Sequence, residues 1–259
     1  MDSRAHPYGR IGAELAGSPF AAITYVAETD STNADAAKLL GRREHLGRSI
    51  VAEHQRQGRG RKGRRWTSQP GSSLLVTSIL PRALDAADVW VVPFWVALAV
   101  REALARLGVT TTLHWPNDLS IEERKVAGVL CTSRITADTA WVACGVGINV
   151  YRPQDPQTDV APPAAYCDDV VSIDRARLLG AILREYDATL DRLGDPERTA
   201  ALWEAAAGLP GARYRILKDG ATEAFEATAL RLGRDGGLVV DLGDGRLETI
   251  ALADARALR

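Results

Sequence analysis

Apolar and polar positions along the chain fall into blocks whose period changes several times. Residues 22–28 alternate, the period of a half-exposed strand, and residues 49–54 read as another strand. Between them Thr29-Asp30-Ser31-Thr32-Asn33 leads into an alanine-rich run, so Ser31 or Asp30 is predicted to cap a helix reaching about Arg43. Residues 55–72 have no apolar period and read as loop, and residues 73–80 as a strongly apolar strand. Residues 89–107 predict a mostly apolar helix with Pro93 in its first turn and Gly108 just past its end. Stretches 110–115, 124–135 and 139–150 are β-rich, and 152–169, rich in Pro and Asp, reads as loop. Helical patterns run from Ser172 or Asp174 to about Leu193 and over 196–207. Residues 212–258 are short alternating segments broken by Asp219-Gly220, Asp235-Gly236-Gly237 and Asp244-Gly245, which are hairpin signals. They predict a small barrel of SH3 size, with a boundary near Gly208–Gly211 separating residues 1–208 from 209–259.

Composition narrows the function classes. The chain has 259 residues, 32 basic and 33 acidic, for a net charge of −1. Such balance argues against a surface built throughout for nucleic acid or anionic membrane. Cys131, Cys144 and Cys167 form no CxxC and cannot all pair, so a reducing compartment is expected. No apolar run approaches the ~18 residues of a membrane span, and residues 1–17 lack a signal-peptide core, which predicts a cytoplasmic location. The four histidines sit in no metal-ligand spacing, and no GxSxG or HExxH occurs. Covalent catalysis and a structural metal are therefore poor fits, and an enzyme working by positioning and electrostatics fits better.

The charge balance hides one local excess. Residues 55–66 hold Arg56, Arg59, Arg61, Lys62, Arg64 and Arg65 with no acid, punctuated by Gly58, Gly60 and Gly63. Arginine forks suit phosphate oxygens, and glycine lets backbone N–H groups approach an anion. Like charges this dense predict a loop without fixed structure until an anion arrives. A solvated basic loop is the plain alternative. The spacing Gly58-x-Gly60-x-x-Gly63 imitates a dinucleotide fingerprint, but no helix follows; it also imitates a P-loop, but Arg64-Arg65 stand where Lys-Ser/Thr are needed. An Arg/Gly segment beside Trp66 could also bind single-stranded nucleic acid. Further on, Pro116 predicts that Asn117 and Asp118 project from a turn. Lys125 opens the apolar run Val126–Leu130, and Gly128 leaves room beside the backbone. Gly145 and Gly147 lie inside an apolar strand, where a flat ligand or a close packing contact would explain them.

Taken together, DSTN at 30–33, the loop with its flanks at 53–66, WPND with RKVAGVL at 115–130, and GVGIN at 145–149 resemble the biotin–protein ligases in order and spacing. The resemblance implies an α+β fold: a mixed sheet backed by helices, like class II aminoacyl-tRNA synthetases, with a small C-terminal SH3-like β-barrel. It implies ATP with Mg2+, biotin as substrate, and a biotin carboxyl carrier domain of an acyl-CoA carboxylase as partner. It implies no DNA and no membrane, and it leaves the oligomeric state open. Ser31, Thr32, Asn33, Gln55, Gly58, Arg59, Gly60, Arg61, Lys125, Gly128, Gly145 and Gly147 match biotin-side positions. Arg59, Arg61, Lys62, Arg64, Trp66, Asn117, Asp118 and Asn149 match nucleotide-side positions, and Lys125 and Arg61 the catalytic cations. His114 stands where the family usually has Lys, which puts nucleotide affinity in doubt, and Lys62 where it usually has Arg. About 20 residues precede the first strand, too few for the helix-turn-helix some relatives carry, so the monofunctional kind is expected. A lipoate- or octanoate-transferring relative and a nucleic-acid-binding module are the competing readings.

Overall fold

The computed structural model describes residues 6–154, 164–243, 245–252 and 255–258. Its main sheet is built from β1 (Ile23–Thr29), β2 (Ser49–Gln55), β3 (Ser73–Ile79), β4 (Leu84–Asp85), β5 (Thr112–His114), β6 (Asp118–Ile121), β7 (Arg124–Thr136) and β8 (Thr139–Asn149). The order is β1-β2-β3-β8-β7-β6-β5, with β4 also on β8. Only β1–β2 is parallel; the other pairs are antiparallel. The sheet is mixed, as predicted.

The two faces are covered differently, and this places the site. One face packs on α3 (Val92–Arg106), α4 (Arg175–Ala188) and α1 (Gly9–Glu14). Most of α3 is buried, including Phe94 and Trp95 at 0% exposure, which explains its continuous apolar sequence. Val142, Cys144, Val146 and Ile148 of β8 join that core. The alternate residues of β8 face the other way, because side chains alternate along a strand. There the sheet meets only the short α2 (Thr32–Ala37) and a small cluster around Ala36, Leu40, Ile50, Ile79 and Ala143. The rest of that face is open to a cavity.

Four local expectations change. The helix predicted to reach Arg43 stops at Ala37: Leu39 N–H turns back to the Ala36 carbonyl, and Gly41 at φ +86° ends the segment. Ser31 occupies the N-cap position but its side chain makes no capping bond. Asp118 begins strand β6, so only Asn117 belongs to the turn. Helix α1 was not predicted, because its six residues are too few to show a period. The Gly108 signal does hold, at φ +89° after α3, and Asp174 caps α4 by accepting from Arg177 N–H at 2.9 Å.

After α5 (Pro196–Ala206) the chain forms β9 (Arg213–Lys218), β10 (Phe225–Leu232), β11 (Leu238–Asp241), β12 (Leu247–Ile250) and β13 (Ala255–Leu258). Asp219-Gly220 and Asp235-Gly236-Gly237 sit in turns between antiparallel partners; Asp244, and the loop residues 155–163, lie outside the described residues. The order β12-β11-β10-β9-β13 is an open path, with no pair joining its ends among the described residues. Among the described residues the segment expected to be a small barrel is a five-stranded antiparallel sheet. The buried core runs through the predicted boundary: Tyr214, Ile216, Ala229 and Val240 share one cluster with Phe94 and Trp203.

Candidate active site

A cavity of about 410 Å³ lies on the open face of the sheet. Its floor is polar but neutral at one end. Gln55 Oε1 accepts from Thr32 N–H at 2.7 Å and from Thr32 Oγ1 at 3.0 Å. Asn33 Nδ2 donates to the Leu130 carbonyl at 3.0 Å. Thr77 Oγ1, fully buried, stands 2.8 Å from Thr32 Oγ1 and 3.2 Å from Asn33 Oδ1. These bonds fix each polar group's direction, and burial makes a misplaced partner costly.

The three strand glycines form a trough across β7 and β8. Gly128 pairs with Gly147, and Leu130 with Gly145. A Cβ on Gly147 would stand 2.7 Å from Trp66 Cε2, one on Gly128 3.2 Å from Trp66 Cζ3 and from Lys125 Nζ, and one on Gly145 2.4 Å from Asn33 Nδ2. The flat group expected against the strand is thus the protein's own indole. Trp66 reaches it because its N–H bonds the Gly58 carbonyl at 2.9 Å, and a Cβ on Gly58 would meet the Trp66 carbonyl at 2.4 Å.

The other end of the cavity is cationic. Arg59, Arg61, Arg64 and Lys125 reach it. Lys125 Nζ lies 2.7 Å from Asp118 Oδ1 and 5.5 Å from the Trp66 ring centre. Arg59 and Arg64 have no acid partner among the described residues. Burial pulls the Arg61 guanidinium below its ordinary value, Asp118 and Asp219 pull it back, and Arg64 adds to the lowering. Asn117 Nδ2 donates to the Val129 carbonyl at 2.6 Å, fixing the turn. Asn149 Nδ2 donates to the Ala165 carbonyl at 3.2 Å, fixing the next segment against Lys125.

Most predicted site residues therefore converge, with three exceptions. Gly58 shapes the loop behind Trp66 and does not face the cavity. Lys62 turns away from it and pairs with Asp219 at 2.7 Å. Asp118 meets Lys125 instead of the cavity. Three cations of the basic loop, Arg56, Arg61 and Lys62, have partners outside it. Arg56 pairs with Asp30 at 2.9 Å and Glu28 at 3.3 Å, and Arg61 donates to the Leu252 carbonyl. His114 bonds Ser120 Oγ at 2.7 Å and does not line the cavity.

The model of the Biotin/lipoate A/B protein ligase family matches residues 25–149, which carry nearly all of this cavity. The biotin--[acetyl-CoA-carboxylase] ligase of Mycobacterium tuberculosis is 33% identical over a 275-residue alignment covering 100% of this chain and 96% of that one. The chain belongs to the biotin/lipoate A/B protein ligase family. The bifunctional ligase/repressor BirA of Escherichia coli is 29% identical over 70% of this chain and 56% of its own length. The biotin protein ligase of Aquifex aeolicus, solved with biotin and ATP, shares the fold at TM-score 0.72 and 24% identity, covering 92% of this chain and 99% of that one.

Two site residues of this ligase were not singled out in the sequence. Thr77 is one, and its signal was there: a hydroxyl within the apolar stretch 73–80, directly opposite Gly145 in the register. Tyr166 is the other, 8% exposed, walling the cavity with the Arg152 guanidinium 4.7 Å from its ring. It lies in a stretch read only as loop.

Proposed function

We propose that this chain is a biotin–protein ligase. Biotin's carboxylate attacks the α-phosphorus of ATP; the bond to the bridging oxygen breaks, giving biotinyl-5′-AMP and pyrophosphate. A lysine amine of a biotin carboxyl carrier domain then attacks the acyl carbon, AMP leaves, and the amine gives up a proton. The observation that carries this reading is the polarity of this cavity: a neutral hydrogen-bonding floor of Thr32, Asn33, Gln55 and Thr77, and a wall of Arg59, Arg61, Arg64 and Lys125. That division suits a ligand with an uncharged polar head and an anionic reacting end.

The chain's own part is to bind and orient. Lys125, at the cationic end of the cavity, is the group we assign to the carboxylate and phosphate oxygens, whose repulsion fixed cations offset. Trp66 covers the glycine trough and closes one side to water. No protein nucleophile is needed. Among the described residues no group of three His, Cys, Asp or Glu side chains could hold a metal. Magnesium would come on the triphosphate, whose oxygens commonly supply part of its coordination. We read residues 1–208 as the catalytic part, and the C-terminal sheet as the counterpart of the family's small barrel. No helix among the described residues is long and apolar enough to cross a membrane, and a cytoplasmic site of action fits the free thiols.

Mass spectrometry after incubation with Mg-ATP and biotin, or with lipoate, tests the reading. Retained biotinyl-AMP is expected. Adenylate from lipoate alone, or from neither acid, overturns it.

A further inference from the structure

The C-terminal sheet touches both sides of the cavity. On one side, Trp115 precedes the Asn117 turn and is 1% exposed. Its backbone N–H donates to Tyr214 Oη at 3.2 Å, and its indole N–H to the Gly236 carbonyl at 3.0 Å. Both acceptors belong to the C-terminal sheet: Tyr214 lies in β9, and Gly236 in the turn between β10 and β11. On the other side, the basic loop reaches over to the same sheet. Arg61 donates to the Leu252 carbonyl, and Lys62 Nζ stands 2.7 Å from Asp219 Oδ1 in the β9–β10 turn.

We infer that the C-terminal sheet clamps the adenylate site from both sides, with Tyr214 positioning the nucleotide-side turn and Asp219 holding the basic loop closed. The inference rests on the ligase reading. Neither residue faces the cavity, so each acts through another: Tyr214 through Trp115, and Asp219 through Lys62. Trp115 is buried, so removing the phenol oxygen leaves its N–H without this acceptor, and the turn relaxes. Asn117 and the Asp118–Lys125 pair follow directly in the chain or the register. The side chains of Thr32, Asn33, Gln55 and Thr77 bond to one another and to the Leu130 carbonyl of β7, away from the C-terminal sheet, so the floor should be untouched. The two positions thus act on different steps. Tyr214 governs the binding and alignment of ATP, whereas Asp219 governs how long the adenylate stays.

Tyr214→Phe and Asp219→Asn separate these effects. A turn displaced by a fraction of an ångström costs up to about tenfold in the first step, so Tyr214→Phe should raise KM for ATP or lower kcat by that order, with KM for biotin unchanged. Lys62–Asp219 is an exposed pair, so Asp219→Asn should speed adenylate escape by about two- to fivefold, with pyrophosphate exchange unchanged. Salt should erase that difference. The exchanged pair Lys62→Asp with Asp219→Lys should restore slow escape. Wild-type protein that makes no biotinyl-AMP would sink the ligase reading itself. Wild type that makes it, with either variant equal to wild type in its assigned readout, overturns the clamp. So does a Tyr214→Phe variant that loses melting temperature while keeping both KM values and kcat.

Discussion

Trp66 lies flat over Gly147: a Cβ at that glycine would stand 2.7 Å from the indole Cε2, closer than packed carbons tolerate. The contact ties the end of a basic loop to the middle of the central sheet. It explains a glycine that costs strand stability, since only a bare backbone lets the ring settle there.

Gly147→Ala tests this relationship. The added methyl must push Trp66 off the trough, and overpacking of this kind costs roughly 1–3 kcal/mol. The melting temperature should fall and adenylate formation should drop by at least about tenfold as the ring leaves its place over Lys125. Exchange at the wild-type rate would show that the ring's position does not matter to the chemistry.

Lys125→Ala should nearly abolish the first step. It removes the cation at the reacting end and takes from Asp118 the ammonium that stands 2.7 Å away. Losing one such stabilising group typically lowers the rate by ~10²–10³-fold. ATP–pyrophosphate exchange measures it, with circular dichroism to check the fold. Exchange within threefold of wild type removes Lys125 from the mechanism.

Thr77→Val should weaken biotin binding while keeping the shape of the floor. The hydroxyl reaches Thr32 and Asn33 from inside the sheet, so the variant leaves those groups a partner short. A net hydrogen bond of about 0.5–1.5 kcal/mol corresponds to about a two- to tenfold rise in KM for biotin, with KM for ATP unchanged. An equal rise in both would point to a general disturbance of β3.

Much of this site was legible because its chemistry is local in sequence. Arg59, Arg61 and Arg64 stand out as cations without acids, and Gly145 and Gly147 as glycines where apolar residues belong. What they face was not legible. Whether a glycine admits a ligand or a tryptophan some eighty residues away depends on register, and register is a long-range property. Lys62 looks like a ligand contact for the same reason: its partner, Asp219, lies across the fold. The C-terminal strands were readable from Asp-Gly punctuation, but closure depends on edge strands meeting in space, which local pattern does not encode.

The cysteines should separate by reactivity. Burial, reinforced by Asp168 and Asp169, pushes the Cys167 thiol up to about 12, and Cys144 is raised by its contact with Cys131 and by burial. Thiolate is the reactive form, so iodoacetamide at pH 8 should label partly exposed Cys131 first. Cys144 and Cys167 should react only on unfolding, as read by peptide mass spectrometry. Early labelling of Cys167 would mean that the segment around it opens.

Replacing Arg61 should shorten the time for which the intermediate is kept. Biotinyl-AMP is an activated acyl donor, so an enzyme that lets it go acylates any accessible lysine. Arg61 reaches the cavity from the loop, and its guanidinium also donates to the Leu252 carbonyl, so one side chain joins the lid to the wall behind it. Arg61→Gly removes both a cation from the cavity and that anchor. Lys125 and Arg59 remain, so the first step should continue. A lost charge-assisted hydrogen bond is worth about 1.5–3 kcal/mol, which corresponds to roughly 10- to 150-fold faster escape. Free adenylate should then biotinylate bystander proteins. A streptavidin blot of serum albumin incubated with the variant, biotin and Mg-ATP reads this directly. If the variant makes adenylate but labels albumin no more than wild type does, retention rests on other groups, and Trp66 over its glycine trough is the next to test.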